Sequence, residues 1–195
     1  MKEIPIEELK DIQTGIAVRI NDFCLKNGIR YFLGYGSLIG AVRHKGYIPW
    51  DEDIDLGMPR PDYERFIHTF NGAYPDLKVF APELDPGYYA PYANVCLEGT
   101  LLMEESHSHN RREVGVKVDI FPIDGAPSDE KEWADMRRKL EQLNRFLFYK
   151  TVRLRPRWKK DKVLWFKTLV WKAAIAPLSI PFIQRRIRAL AISHD

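Results

Sequence analysis

Cysteine is scarce in this sequence. Cys24 and Cys96 are the two present, far apart and without a Cys-x-x-Cys pair. That excludes a disulfide-framed secreted scaffold and predicts reduced thiols, buried as small hydrophobes, in a cytoplasmic protein. A secretory signal is also missing, because MKEIPIEELKDIQ lacks the basic-then-apolar pattern of one. No repeat period or low-complexity tract is present. Long uninterrupted apolar runs are lacking as well: residues 163–183 are apolar, but Lys167, Lys172, Pro177 and Pro181 break them, which argues against a membrane-spanning helix. Acidic residues almost vanish from one region. Residues 150–188 hold twelve Lys and Arg against Asp161, while the rest of the chain holds 18 basic and 26 acidic residues. The net charge of +3 therefore hides a basic C-terminal fifth.

What is present describes a folded domain. With 195 residues, 45% hydrophobic and 29% charged, the chain can bury a core and resembles neither a disordered nor a fibrous class. Leu9, Ile12, Ile16, Ile20 and Phe23 recur at helical spacing over residues 7–27, and Asn27-Gly28 supplies a stop. IRYFLGYGS reads as a buried strand entering a glycine turn. SLIGAVRHKG reads as a short helix with Ser37 as N-cap and Gly46 as its end. The alternation of DIDLGM places Asp53 and Asp55 on one strand face, with Ile54 and Leu56 on the other. Residues 61–70 form a helix opened by proline, and residues 77–102 form short strands joined by loops. GVKVDIFPID is a further strand carrying Asp119, and Ser128 caps a helix over residues 129–149. Helices and strands in this succession predict an α+β fold, a mixed sheet flanked by helices. The expected division is a catalytic domain over residues 1–150 and a basic, partly apolar helical segment over 151–195.

The acids carry the chemistry. Phosphates are anionic, so transferring a phosphoryl-type group calls for a cation held by hard oxygen ligands, Mg²⁺ or Mn²⁺. Two carboxylates at i and i+2 on a strand point the same way and can chelate such an ion. A third from a neighbouring strand completes the set or acts on the attacking hydroxyl. Asp53, Asp55 and Asp119 have this pattern, with Asp51 two residues further up the face. Gly36 and Ser37, at a glycine turn before a helix, offer backbone N–H groups to a phosphate. Arg43, His44 and Lys45 concentrate positive charge at the other end of that helix. Both ends reach one phosphate if the loop after Gly46 folds back.

The run GYGSLIGAVRHKGYIPWDEDIDLGMPR closely resembles the signature of the LicD family, phosphocholine transferases of bacterial cell-surface glycans with fukutin and fukutin-related protein as distant relatives. The family's fold is similar to that of nucleotidyltransferases: a Gly-Ser turn, an Asp-x-Asp strand, then a third acidic strand. Gly36 with Ser37, Asp53 with Asp55, and Asp119 match it here, and WDEDID brings in Asp51. The resemblance covers roughly residues 27–124. It implies transfer of phosphocholine or a similar alcohol phosphate from CDP-choline or another CDP-alcohol to a glycan hydroxyl, with release of CMP and a requirement for Mg²⁺. It also implies a Tyr- and acid-rich segment nearer the C-terminus, which the sequence given lacks. Two alternatives therefore stand beside it: a nucleotidyltransferase releasing pyrophosphate, and a catalytically impaired, membrane-associated binding protein.

Choline is a quaternary ammonium, which aromatic faces hold. Tyr47, Trp50, Tyr88, Tyr89 and Tyr92 are the candidates, each with packing as the competing role. His107 and His109 in ESHSHN read as a solvated turn rather than a zinc site. In the C-terminal segment, Trp165, Phe166, Leu169 and Ala173 are expected on one apolar helix face between basic flanks. That suits a peripheral element on anionic lipid at the inner face of the membrane, or a helical subdomain with its charges in water. No nucleic-acid motif accompanies the basic charge, so no nucleic-acid partner is expected.

Overall fold

The structure, a computed structural model, describes residues 3–101, 115–152 and 162–194; His107 and His109 lie outside them. These residues form the helices α1 (Ile6–Asn27), α2 (Tyr35–Arg43), α3 (Arg60–Thr69), α4 (Glu130–Thr151), α5 (Lys162–Ala174) and α6 (Ile180–Ala191). The strands are β1 (Phe32–Leu33), β2 (Asp55–Pro59), β3 (Leu77–Phe80), β4 (Ala93–Leu97) and β5 (Lys117–Ile123). They make one mixed sheet of order β1-β2-β5-β4-β3, in which β2 and β5 run parallel and the other neighbours antiparallel. The fold is α+β, as expected.

The chain divides into two compact units. The first holds the described residues up to Leu84, with 92–101 and 115–123; the second holds 85–91, 124–152 and 162–194. The helix α4 thus groups with α5 and α6.

In the first unit, side-chain alternation sorts the sheet into two faces. Leu56, Met58, Val118, Ile120, Val95 and Val79 share one face and are buried there. The apolar stripes of α1 and α3 complete this core. Ile16, Ile20 and Phe23 supply the first stripe, and Tyr63, Phe66, Ile67 and Phe70 the second. Phe23 meets Phe66 and Phe70 edge-on at centroid distances of 5.9 and 5.0 Å. Gly28 ends α1 at φ 61°, the left-handed conformation that Asn27-Gly28 predicts. Cys24 and Cys96 are free and buried, and burial pushes both thiols up to about 12. The opposite face carries Asp55 and Gly57 on β2, Lys117, Asp119 and Phe121 on β5, and Asn94 on β4.

Four local expectations are corrected. IRYFL does not form a buried strand: β1 is two residues long, lies at the sheet edge, and exposes Phe32. The N-cap of α2 is Gly34, so Ser37 stands inside the first turn and its hydroxyl is used elsewhere. Asp53 precedes β2, which opens at Asp55, so the i, i+2 pair is not carried on one strand. At α4 the cap is Asp129, whose carboxylate accepts the N–H groups of Lys131 and Glu132 at 3.0 and 2.9 Å. The carboxylate also meets the positive end of the helix dipole.

In the second unit, Leu147, Ile183 and Ile187 form a core with Leu140, Leu143, Phe146, Leu178 and Ile180 packed against it. Gln184, on α6, donates to the backbone oxygens of Tyr88 and Ala90 at 3.0 and 2.8 Å and fixes that loop. Among the described residues no helix is long and apolar enough to cross a membrane.

Candidate functional site

The register of β2 and β5 sets Asp55 beside Asp119, on the sheet face away from the core. Asp55 is pinned through its backbone. Its N–H donates to Ser37 Oγ at 2.8 Å, and its carbonyl accepts Gly34 N–H at 2.9 Å. The start of α2 therefore clamps the start of β2, which is what Ser37 does in place of capping. Asp119 is buried and held at both oxygens. Asn94 Nδ2 donates to Oδ1 at 2.5 Å, and Lys117 Nζ reaches Oδ1 at 3.0 Å and Oδ2 at 3.2 Å. Gln13, on α1, ties the segments together by donating to the carbonyls of Glu52 and Lys117 at 3.0 and 3.2 Å.

Asp51 lies against the first turn of α2. A Cβ on Gly36 would overlap the Asp51 carboxylate, so Gly36 leaves room for an acid of this chain. Burial raises the Asp53 carboxyl to about 6, helped by a hydrogen bond with the Asp51 carboxyl and by the charges of Asp51 and Asp119. Burial likewise raises Asp55 to about 7, with the charges of Asp53, Asp119 and Asp51 adding to it. Lys117 opposes both shifts. Solvent reaches Asp53, but crowding by like charge still holds protons on the group. A carboxyl–carboxyl hydrogen bond needs such a proton.

This donor set fits a hard divalent cation chemically: several oxygen ligands and an excess of negative charge that a cation would compensate. Among the described residues no three Asp, Glu, His or Cys side chains converge into a finished cage. A cation held by these acids would require their side chains to rotate toward it.

Beside the acids lies a cavity of about 410 Å³, lined by Leu33, Ser37, Lys45, Tyr47, Asp53 and Ile54 among others. Its shape depends on the loop after α2 folding back. Gly46 N–H donates to Gly40 O at 3.4 Å, and a Cβ on Gly40 would strike the Gly46 carbonyl. That fold brings Lys45 from the far end of α2 to the cavity that Ser37 also lines. Arg43 and His44 stay exposed outside this lining, and His44 sits edge-on to Trp50 at 6.4 Å.

The aromatic candidates separate. Tyr47 lines the cavity and donates toward Lys10 O and Gln13 Oε1 at 3.3 Å. Trp50 is 80% exposed. Tyr92 packs on Phe121 at 4.3 Å, and Tyr35 meets the same ring at 4.9 Å. Tyr88 is buried and packs against Tyr89 at 4.9 Å in the second unit. Phe121, Tyr35, Asn94, Lys117 and Gln13 are absent from the sequence reading. For Phe121 and Lys117 a signal existed, because each lies two residues from Asp119 on a strand and so shares its face. Asn94 and Gln13 gave none, since their pairing is non-local.

The family model described as LicD/FKTN/FKRP, nucleotidyltransferase domain, matches residues 28–157. The chain belongs to the LicD family. Over 133 residues, 67% of this chain, it is 32% identical to the lipopolysaccharide cholinephosphotransferase LicD of Haemophilus influenzae. It is 61% identical over 123 residues, 62% of the chain, to the ribitol 5-phosphate transferase FKRP of Mus musculus. A 31-residue match to the Homo sapiens FKRP is also 61% identical. The chain covers 49% of the Haemophilus protein and 22% of the mouse one, so it spans half or less of these relatives. No solved structure matches it significantly.

Proposed function

We propose that this LicD-family chain transfers an alcohol phosphate, phosphocholine or a similar group, from a CDP-linked donor to a glycan hydroxyl, releasing CMP. The observation that carries the reading is the crowding of Asp53 and Asp55 with Asp119, where burial and like charge push the Asp53 and Asp55 carboxyls upward. Asp53, Asp55 and Asp119 would hold Mg²⁺ or Mn²⁺, with Asp51 against Gly36 as a fourth acid. The cation would supply charge neutralisation at the donor phosphates. Lys117 and Asn94 already engage Asp119, which weakens it as a base and suits it to a fixed ligand. Loose phosphoryl-transfer transition states need little base assistance, so positioning carries most of the catalysis.

Ser37, Lys45 and the cavity they line with Tyr47 and Asp53 form the donor pocket. Its volume suits one small ligand. Lys45 brings positive charge to the diphosphate from the folded-back loop, and the first turn of α2 offers backbone N–H groups. The acceptor hydroxyl attacks the phosphorus that carries the alcohol. The bond from that phosphorus to the bridging oxygen breaks, CMP leaves with that oxygen, and the hydroxyl proton passes late to the departing CMP phosphate. Tyr92 with Phe121 and Tyr35 provides an aromatic surface near Asp119 for a cationic alcohol. The resemblance to a cholinephosphotransferase and to ribitol 5-phosphate transferases supports the reaction class and leaves the alcohol as a matter for assay.

Asp55→Asn keeps the Ser37 and Gly34 hydrogen bonds, which involve backbone, and removes a charge from the cluster. Turnover of CDP-alcohol donors should fall by about 10²- to 10³-fold, the scale of losing one preorganised electrostatic contact in an active site. Near-normal turnover in that variant would sink the assignment. A second reading, nucleotidyl transfer with release of pyrophosphate, is favoured by the description of the matched domain. Product analysis separates them: CMP for the first, pyrophosphate for the second.

A further inference from the structure

On α5, polar side chains turn inward beside an aromatic one, and apolar side chains face outward. Thr168 is the buried residue of this helix, and Lys172 turns inward, donating Nζ to the carbonyls of Tyr149 and Val152 at 2.9 Å each. Burial, with Lys150 adding its charge, pulls the Lys172 amine below its usual range. Trp171 stacks on Tyr149 at 5.5 Å, so this side of α5 is the one against α4. On the helical wheel the opposite side carries Val163, Phe166 and Val170, with Ala173 and Ala174 between them and Lys162 and Lys167 at the margins. Val163 is 64% exposed, Phe166 62% and Val170 49%. A helix that turns a threonine and a lysine inward and phenylalanine and valine outward does not follow the pattern of a solvated surface helix. Exposed apolar patches of this kind mark contact surfaces.

Charge says which kind. The helices α5 and α6 carry six basic residues and no acidic one. On α6 the outward side repeats the theme, with exposed Arg185, Arg186 and Phe182, and the Arg186 guanidinium 5.9 Å from the Phe182 ring. A second copy of this face would bring like charges together, and an apolar protein partner would leave them uncompensated. A bilayer with anionic headgroups meets both requirements, taking the apolar ridge into its acyl boundary and the lysines at its headgroups.

We propose that the α5 face formed by Val163, Phe166 and Val170, flanked by Lys162 and Lys167, docks the protein on an anionic lipid surface. The inference stands apart from the transferase reading, since none of these residues belongs to the acidic site. The full chain is sedimented with vesicles of three parts phosphatidylcholine to two parts phosphatidylglycerol, and with phosphatidylcholine alone, at about 0.1 M salt. It should bind the anionic vesicles and not the neutral ones. Phe166→Gln/Val170→Gln should weaken partitioning by about tenfold or more, and Lys162→Gln/Lys167→Gln by about fivefold per lysine. Both variants should keep the wild-type melting temperature, because the altered side chains are exposed. Equal binding to neutral vesicles, unchanged binding by the first variant, or a lowered melting temperature for it would each overturn the proposal. Absence of vesicle binding together with self-association that Phe166→Gln/Val170→Gln abolishes would assign the face to a second copy instead.

Discussion

At Gly36 the missing Cβ makes room for Asp51, and at Ser37 a hydroxyl fixes the N–H of Asp55. These two adjacent residues therefore set the positions of two acids that lie far from them in sequence. Gly36→Ala must displace the Asp51 carboxyl while leaving the sheet intact. Its expected result is weaker divalent binding by calorimetry with a melting temperature within a few degrees of wild type; unchanged affinity would remove Asp51 from the ligand set. Ser37→Ala should cost about 1 kcal/mol of stability and reduce kcat through the freed start of β2, measured by denaturant unfolding and turnover together. The acids themselves were legible in the sequence, because Asp119 lies within an apolar strand pattern and WDEDID is unusually dense in charge. The role of Ser37 was not. Tyr35 begins α2 at φ 44°, a left-handed conformation that non-glycine residues rarely adopt, so the helix starts two residues before the hydroxyl. The centroid distance of 4.9 Å between Tyr35 and Phe121 gives that strained residue a packing partner that no local pattern announces.

At the scale of elements, parallel pairing of β2 with β5 concentrates the carboxylates, and its consequence can be followed through pH. Carboxylates in an unfolded chain titrate near pH 4, whereas Asp53 and Asp55 hold protons to about 6 and about 7 in the native protein. Between those limits the folded state binds more protons, so the contribution of this pair to stability falls as pH rises. Without divalent ions the melting temperature should decline from about pH 5 to about pH 8, and Asp53→Asn/Asp55→Asn should flatten that decline. Added Mg²⁺ should recover the loss more at the higher pH, where protons no longer compete with it. A decline of the same slope in the double variant would place its origin elsewhere. The α1 stripe and the β5 strand could be read in advance from their periodicity, and α3 from its opening proline. The apolar run IRYFL could not be distinguished from a buried strand, because its position at the sheet edge depends on pairing with a segment more than twenty residues away. On α5 the expected apolar face of Trp165, Phe166, Leu169 and Ala173 shares Phe166 with the outward ridge of Val163, Phe166 and Val170, because which side faces α4 is decided by Lys172 finding two helix-end carbonyls.

The molecule as a whole consists of two compact units, with the acidic site in the first and the basic helices in the second. Both thiols are buried, and burial pushes their ionisation up to about 12, Cys24 and Cys96 alike. The native protein should react with a thiol reagent at about pH 8 far more slowly than the unfolded chain, and an immediate reaction of either cysteine would contradict the described core. The charge asymmetry along the chain reappears in the elements, since α5 and α6 hold six basic residues and no acidic one. The cavity beside Asp53 was not foreseen in detail, because the loop after Gly46 folds back through the close approach of Gly40 to Gly46.

The proposed function makes the acidic cluster a site of phospho-alcohol transfer. Its most direct test incubates the full chain and Asp55→Asn with Mg²⁺ and, in turn, CDP-choline, CDP-ethanolamine, CDP-ribitol and CDP-glycerol, and measures CMP by chromatography. CMP should appear from at least one donor with the wild-type chain and fall to background with Asp55→Asn. No CMP from any of the four, or equal CMP from both proteins, would contradict it.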